Sequence, residues 1–104
     1  MNEHWQTSDW DLMDGETLLG RLTGYDVDQP RFLLRFAPTP AWEPIRPLFD
    51  AFAALRGPDP EGTAMMRVLR PIRDLGLTLV PAGGGTPLTE YILTIDGDEA
   101  RLRY

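Results

Sequence analysis

Residues 90–104, E-Y-I-L-T-I-D-G-D-E-A-R-L-R-Y, decide the fold. Apolar side chains alternate on both sides of Gly97, the period of two that marks a strand with one dry face. With Gly97 and Asp98 as a two-residue loop, Ile95 falls opposite Ala100, Leu93 opposite Leu102 and Tyr91 opposite Tyr104, all on one face. The other face then pairs Thr94 with Arg101 and Ile92 with Arg103. This stretch therefore reads as an antiparallel hairpin with a fixed register.

The same alternation recurs upstream. In R-F-L-L-R-F, Phe32, Leu34 and Phe36 share one face, and Arg31, Leu33 and Arg35 the other. A shorter strand signal stands in L-T-L-V before the loop P-A-G-G-G-T-P. From Trp10 the chain reads W-D-L-M, a turn at Asp14-Gly15, then the run E-T-L-L-G-R-L-T-G-Y, so a hairpin opens the fold. A two-residue loop there sets Asp11 against Leu18. A three-residue loop over 14–16 instead pairs Leu12 with Leu18, faces Trp10 toward Gly20, and is the register expected. A break over 26–30 separates this run from the next strand.

Between the two groups of strands lie two helices. Pro38, Pro40, Pro44 and Pro47 cannot share one helix, because each lacks a backbone donor, so the segment enters extended or turned. A helix follows from about Pro44, with Ile45, Leu48, Phe49, Phe52 and Leu55 as its apolar stripe and Gly57 as its end. A second helix begins with Asp59 as N-cap and Pro60 at the first helical position, and turns Met65, Val68, Leu69, Ile72 and Leu75 inward. Pro71 should kink it and Gly76 close it.

The fold class is accordingly α+β: a predominantly antiparallel sheet of about six strands, ordered β-β-β-α-α-β-β-β, with both helices on one face. With 104 residues there is one domain, 1–104, in which 1–8 form a frayed or loosely packed arm. No internal repeat of 20 to 50 residues occurs.

Composition removes whole classes of chemistry. The chain has no cysteine and no lysine, and its single serine and single histidine, Ser8 and His4, lie in the first eight residues. Thiol, Schiff-base and cysteine-ligated zinc chemistry are excluded, and serine or histidine catalysis would have to work from the frayed arm. The formal charge of -6 is concentrated in residues 1–30, where seven acids face one base, Arg21. The remainder is balanced, with nine arginines and nine acids, so no long-range attraction to nucleic acid or to an anionic membrane is expected. Without a basic and apolar leader or an 18-residue apolar run, the expected location is cytoplasmic.

Each local cluster has a structural explanation that outweighs a chemical one. Asp9, Asp11, Asp14 and Glu16 suggest a calcium loop, but Leu12 and Met13 break the ligand order, and a hairpin with acidic flanks accounts for them. Asp96, Asp98 and Glu99 fall where the register demands a turn. Gly83-Gly84-Gly85 lacks the lysine and following helix of a phosphate loop and reads as a mobile connection. Arg67, Arg70 and Arg73 recur every three residues on the second helix, the pattern of a solvated face. No metal and no cofactor is expected.

The face of the sheet that the helices leave open is the more informative feature. It should carry Leu19, Arg21, Thr23 and Tyr25, Leu33 and Arg35, Val80, Ile92 and Thr94, and Arg101 and Arg103. That mixture is drier than a fully solvated face requires, and arginine among aliphatic and aromatic residues suits a protein partner. The leading expectation is a non-catalytic interaction module, acting as adaptor, inhibitor or homodimer, through Arg21, Tyr25, Leu33, Arg35, Ile92, Arg101 and Arg103. Its partner is another protein or itself. The alternative is a small-ligand binder with a pocket at Trp42, Phe49, Met65 and Met66 between sheet and helices. A third reading, an enzyme using Asp or Glu with Arg, lacks any evident nucleophile.

Overall fold

The computed structural model describes residues 9–28, 31–55, 57 and 59–104. The expected arm 1–8, with His4 and Ser8, and residues 29–30 of the expected break lie outside them. Six strands, β1 (Asp9–Asp14), β2 (Thr17–Asp28), β3 (Arg31–Pro38), β4 (Thr78–Pro81), β5 (Ile92–Asp96) and β6 (Glu99–Arg103), form one sheet in the order β4-β1-β2-β3-β6-β5. All neighbours run antiparallel. Two helices, α1 (Arg46–Ala53) and α2 (Thr63–Asp74), separate β3 from β4. This is the α+β arrangement that the periodicity predicts.

The β5–β6 hairpin has the predicted register, with Leu93 opposite Leu102 and Ile95 opposite Ala100. Gly97 takes the first loop position at φ +65°, which a residue with a β-carbon resists. Pairing stops at Ile92 and Arg103, however. Tyr91 does not pair with Tyr104 in the ladder but donates its hydroxyl to the carbonyl of Leu77 at 2.9 Å.

The first hairpin departs from expectation. Its loop is Gly15-Glu16, with Asp14 opposite Thr17 and Met13 opposite Leu18. A bulge then makes Leu19 an extra residue, so Leu12 faces Gly20 and Trp10 faces Leu22. Asp11 is kept away from Leu18 although the loop has only two residues. One unpaired residue shifts the phase of β2, which keeps Leu12 and Leu22 on the dry face and sets Asp11 beside Arg21. Leu19 is 1% exposed, so it belongs to the core and not to the open face. A second bulge, at Tyr25, carries β2 through Asp26 and Val27 to Asp28, where a break was expected.

Thr39 fastens the bulge to the next segment. Its amide donates to the carbonyl of Leu19 at 2.9 Å and its hydroxyl to that of Leu18 at 2.6 Å, while the same oxygen accepts from the amide of Ala41 at 3.3 Å. That last contact caps a 3-10 turn, Pro40–Trp42, which drops Trp42 into the core. α1 starts two residues later than expected, with Pro47 in its first turn, where no donor is missed. α2 starts at Thr63, because Gly62 at φ +69° interrupts the expected run from Pro60. Asp59 still caps it from a distance: its carboxylate accepts from the amides of Ala64 and Met65 at 3.3 and 3.0 Å.

Both helices pack on the face that carries Trp10, Leu12, Leu22, Leu34, Phe36, Leu79, Leu93, Ile95 and Leu102. Phe49 and Phe52 enter from α1, and Leu69 and Ile72 from α2. Trp42 joins them, with ring centroids 4.8 Å from Phe36 and 4.9 Å from Phe49. On this same side Tyr104 stacks on Phe32 at 5.5 Å and meets Trp10 edge-on at 5.7 Å. Contact between a residue of β1 and one just beyond β6, with β2 and β3 between them, requires the sheet to curl over its core. Among the described residues no helix is long and apolar enough to cross a membrane.

Candidate functional site

The open face is a set of cross-strand rows. In one, Val80, Asp11, Arg21 and Ala37 lie side by side across β4, β1, β2 and β3. In the next, Asp9, Thr23, Arg35, Glu99 and Asp96 cross five strands. A third sets Leu33 against Arg101 and Arg101 against Thr94. The predicted residues Arg21, Leu33, Arg35 and Arg101 are thus on one face, and Tyr25 joins them from its bulge.

Sequence reading missed the acids in these rows. The guanidinium of Arg21 meets the Asp11 carboxylate at 3.0 Å. That of Arg35 is bonded to Glu99 and lies over the ring of Tyr25, 4.6 Å from its centroid. The Tyr25 hydroxyl donates to the second Glu99 oxygen at 2.8 Å. This bond, which the phenolate could not make, holds Tyr25 above the ordinary tyrosine range. Such exposed pairs contribute little stability, typically about 0.2–1 kcal/mol, but they fix the direction of their side chains.

The charge on the face is therefore divided. Arg101 and Arg103 make no ion pair with any described residue, whereas Arg21 and Arg35 are neutralised. Leu33, Val80 and Thr94 are half-buried, and both described helices lie on the other face. Ile92 and Arg103 stand at a corner: Ile92 packs against the core, and both also line a cleft on the other side of the sheet.

That cleft, about 840 Å³, lies between the end of α2 and the lead into β5. Phe49, Leu69, Ile72, Leu77 and Leu93 form its apolar wall, and Arg73, Glu90 and Tyr104 also line it. Burial pushes the Tyr91 phenol up to about 12, since an anion there would lose its hydration. The structure does not assemble the ligand pocket expected from sequence. Trp42 is 3% exposed and closed in by rings, Met65 packs against the core, and Met66 lines a shallow groove along α2 with Arg67 and Arg70. Of the four, Phe49 alone reaches the large cleft. Among the described residues no three His, Asp or Glu side chains gather as metal ligands. In comparisons with protein-family models, curated proteins and solved structures, nothing matches this chain.

Proposed function

We propose that this chain is a small non-catalytic protein-interaction module, working in the cytoplasm through the open face of its sheet, with a second copy of itself as the partner. The observation that carries this reading is the division of charge on the face. Asp9 stands on β1, and Arg101 and Arg103 on β6 with β2 and β3 between, and none of the three makes an ion pair with a described residue. A two-fold axis along the central strands would lay the acidic side of one copy over the basic side of the other, a self-complementary contact. Leu33, on β3, is a drier residue near its centre, and Val80 and Thr94 stand on the two edge strands.

The size of the face sets the strength. Six strands about 4.8 Å apart and about five residues long span about 24 by 17 Å, about 400 Å² per copy and about 800 Å² in all, below the usual range of stable interfaces. Association should be weak and concentration-dependent. Amide spectra recorded over a dilution series test the reading: shifts confined to open-face strand residues such as Leu33, Thr94 and Arg101 support it. Concentration-independent spectra, or shifts confined to the helices, refute it.

A further inference from the structure

We infer that the cleft between the end of α2 and the lead into β5 binds an amphipathic organic carboxylate, its apolar body against Leu69, Ile72, Leu77 and Leu93 and its head group at Arg73 and Arg103. The volume, about 840 Å³, falls within the range of small-molecule sites. Its apolar wall is made of core members, Phe49 at 1% and Leu69, Ile72, Leu77 and Leu93 at 3% to 8% exposed, so an apolar guest would meet the edge of the core. Two arginines that make no ion pair with any described residue, Arg73 and Arg103, line it, with Glu90 as its acidic side chain. An anionic head gains from that imbalance, a cationic one is repelled, and a neutral one leaves the arginines as they were.

Residues on both sides of the cleft are tied to the rest of the fold. The Tyr91 hydroxyl ties the lead into β5 to the carbonyl of Leu77, which fixes the wall between α2 and β4. Tyr104, stacked on Phe32, holds the opposite side. A site formed in advance spares its ligand the cost of ordering the protein. Arg103 is shared with the interaction surface, but Arg73 is not, and the two readings can therefore fail separately.

Decanoate is a suitable probe, with decanol as its uncharged counterpart. Titration calorimetry below the micelle concentration should give one decanoate per chain. Tryptophan emission should change in parallel, because Trp10 touches Tyr104 and Trp42 touches Phe49, both lining residues. Arg73→Gln, at an exposed position, should weaken decanoate about fivefold and leave decanol unchanged. Absence of saturable decanoate binding, equal affinity for decanol, or indifference to Arg73→Gln would each overturn the proposal. None of these outcomes bears on the dilution series, since the variant leaves the open face intact.

Discussion

The ring of Phe36 occupies the space in which a side chain on Gly20 would stand: an ideal β-carbon there would lie 2.6 Å from the Phe36 Cζ. Gly20 has ordinary strand backbone, so it is space and not φ that excludes a larger residue. Phe36 cannot swing aside freely because its other side meets Trp42. Gly20→Ala should therefore destabilise the fold by about 1–3 kcal/mol, the usual cost of overpacking. Urea unfolding would measure it, and a loss below 0.5 kcal/mol would mean that the ring has room to move.

Thr39→Val keeps the shape of the side chain and removes its hydroxyl. The Leu18 carbonyl then loses its 2.6 Å donor and the 3-10 turn loses its cap. A loss of about 1–2 kcal/mol is expected in the same unfolding assay. A neutral outcome would show that the bulge at Leu19 is held by backbone bonds alone.

Tyr91 gives the fold an alkaline limit. Its folded pKa, about 12, exceeds the value near 10 of an unfolded chain, so the folded state keeps a proton that the unfolded state releases. Its contribution is complete below pH 10 and is lost as pH rises from 10 toward 12. Tyr91→Phe should flatten the fall in thermal stability across that window, at the cost of the bond to Leu77. An equally steep decline in the variant would assign the alkaline loss to other groups.

Arg35→Glu is expected to act on folding as well as on association. It would set a second carboxylate beside Glu99 and remove the cation above Tyr25. A loss of up to about 1 kcal/mol of stability should follow. Arg101 has no such partner among the described residues, so its reversal leaves the fold close to native and isolates the interface.

How much of this was legible follows from register. The β5–β6 hairpin could be read because both strands alternate strictly around one glycine turn. The β1–β2 register could not, since L-L-G-R-L gives no mark of which residue a bulge will leave unpaired, and one extra residue moves Leu19 into the core. The arginines of the open face were visible from alternation within each strand. Their carboxylate partners were not, because the Asp11–Arg21 and Arg35–Glu99 pairs depend on strand order and register together. The cleft was not legible for a similar reason. Apolar spacing identified Phe49 as inward, but the end of the helix layer that stays open depends on where α2 meets the lead into β5. Asp59 was recognised as a cap, whereas the left-handed turn at Gly62 that delays the helix leaves no periodic trace.

The central claim, that the open face joins two copies, is tested most directly by solution mass from light scattering across micromolar to millimolar concentration, for the native chain and Arg101→Glu. The account predicts a native mass that rises from one chain toward two, and a variant that stays at one chain with its melting temperature unchanged. A native chain that remains a monomer throughout, or a dimer indifferent to Arg101→Glu, would contradict it.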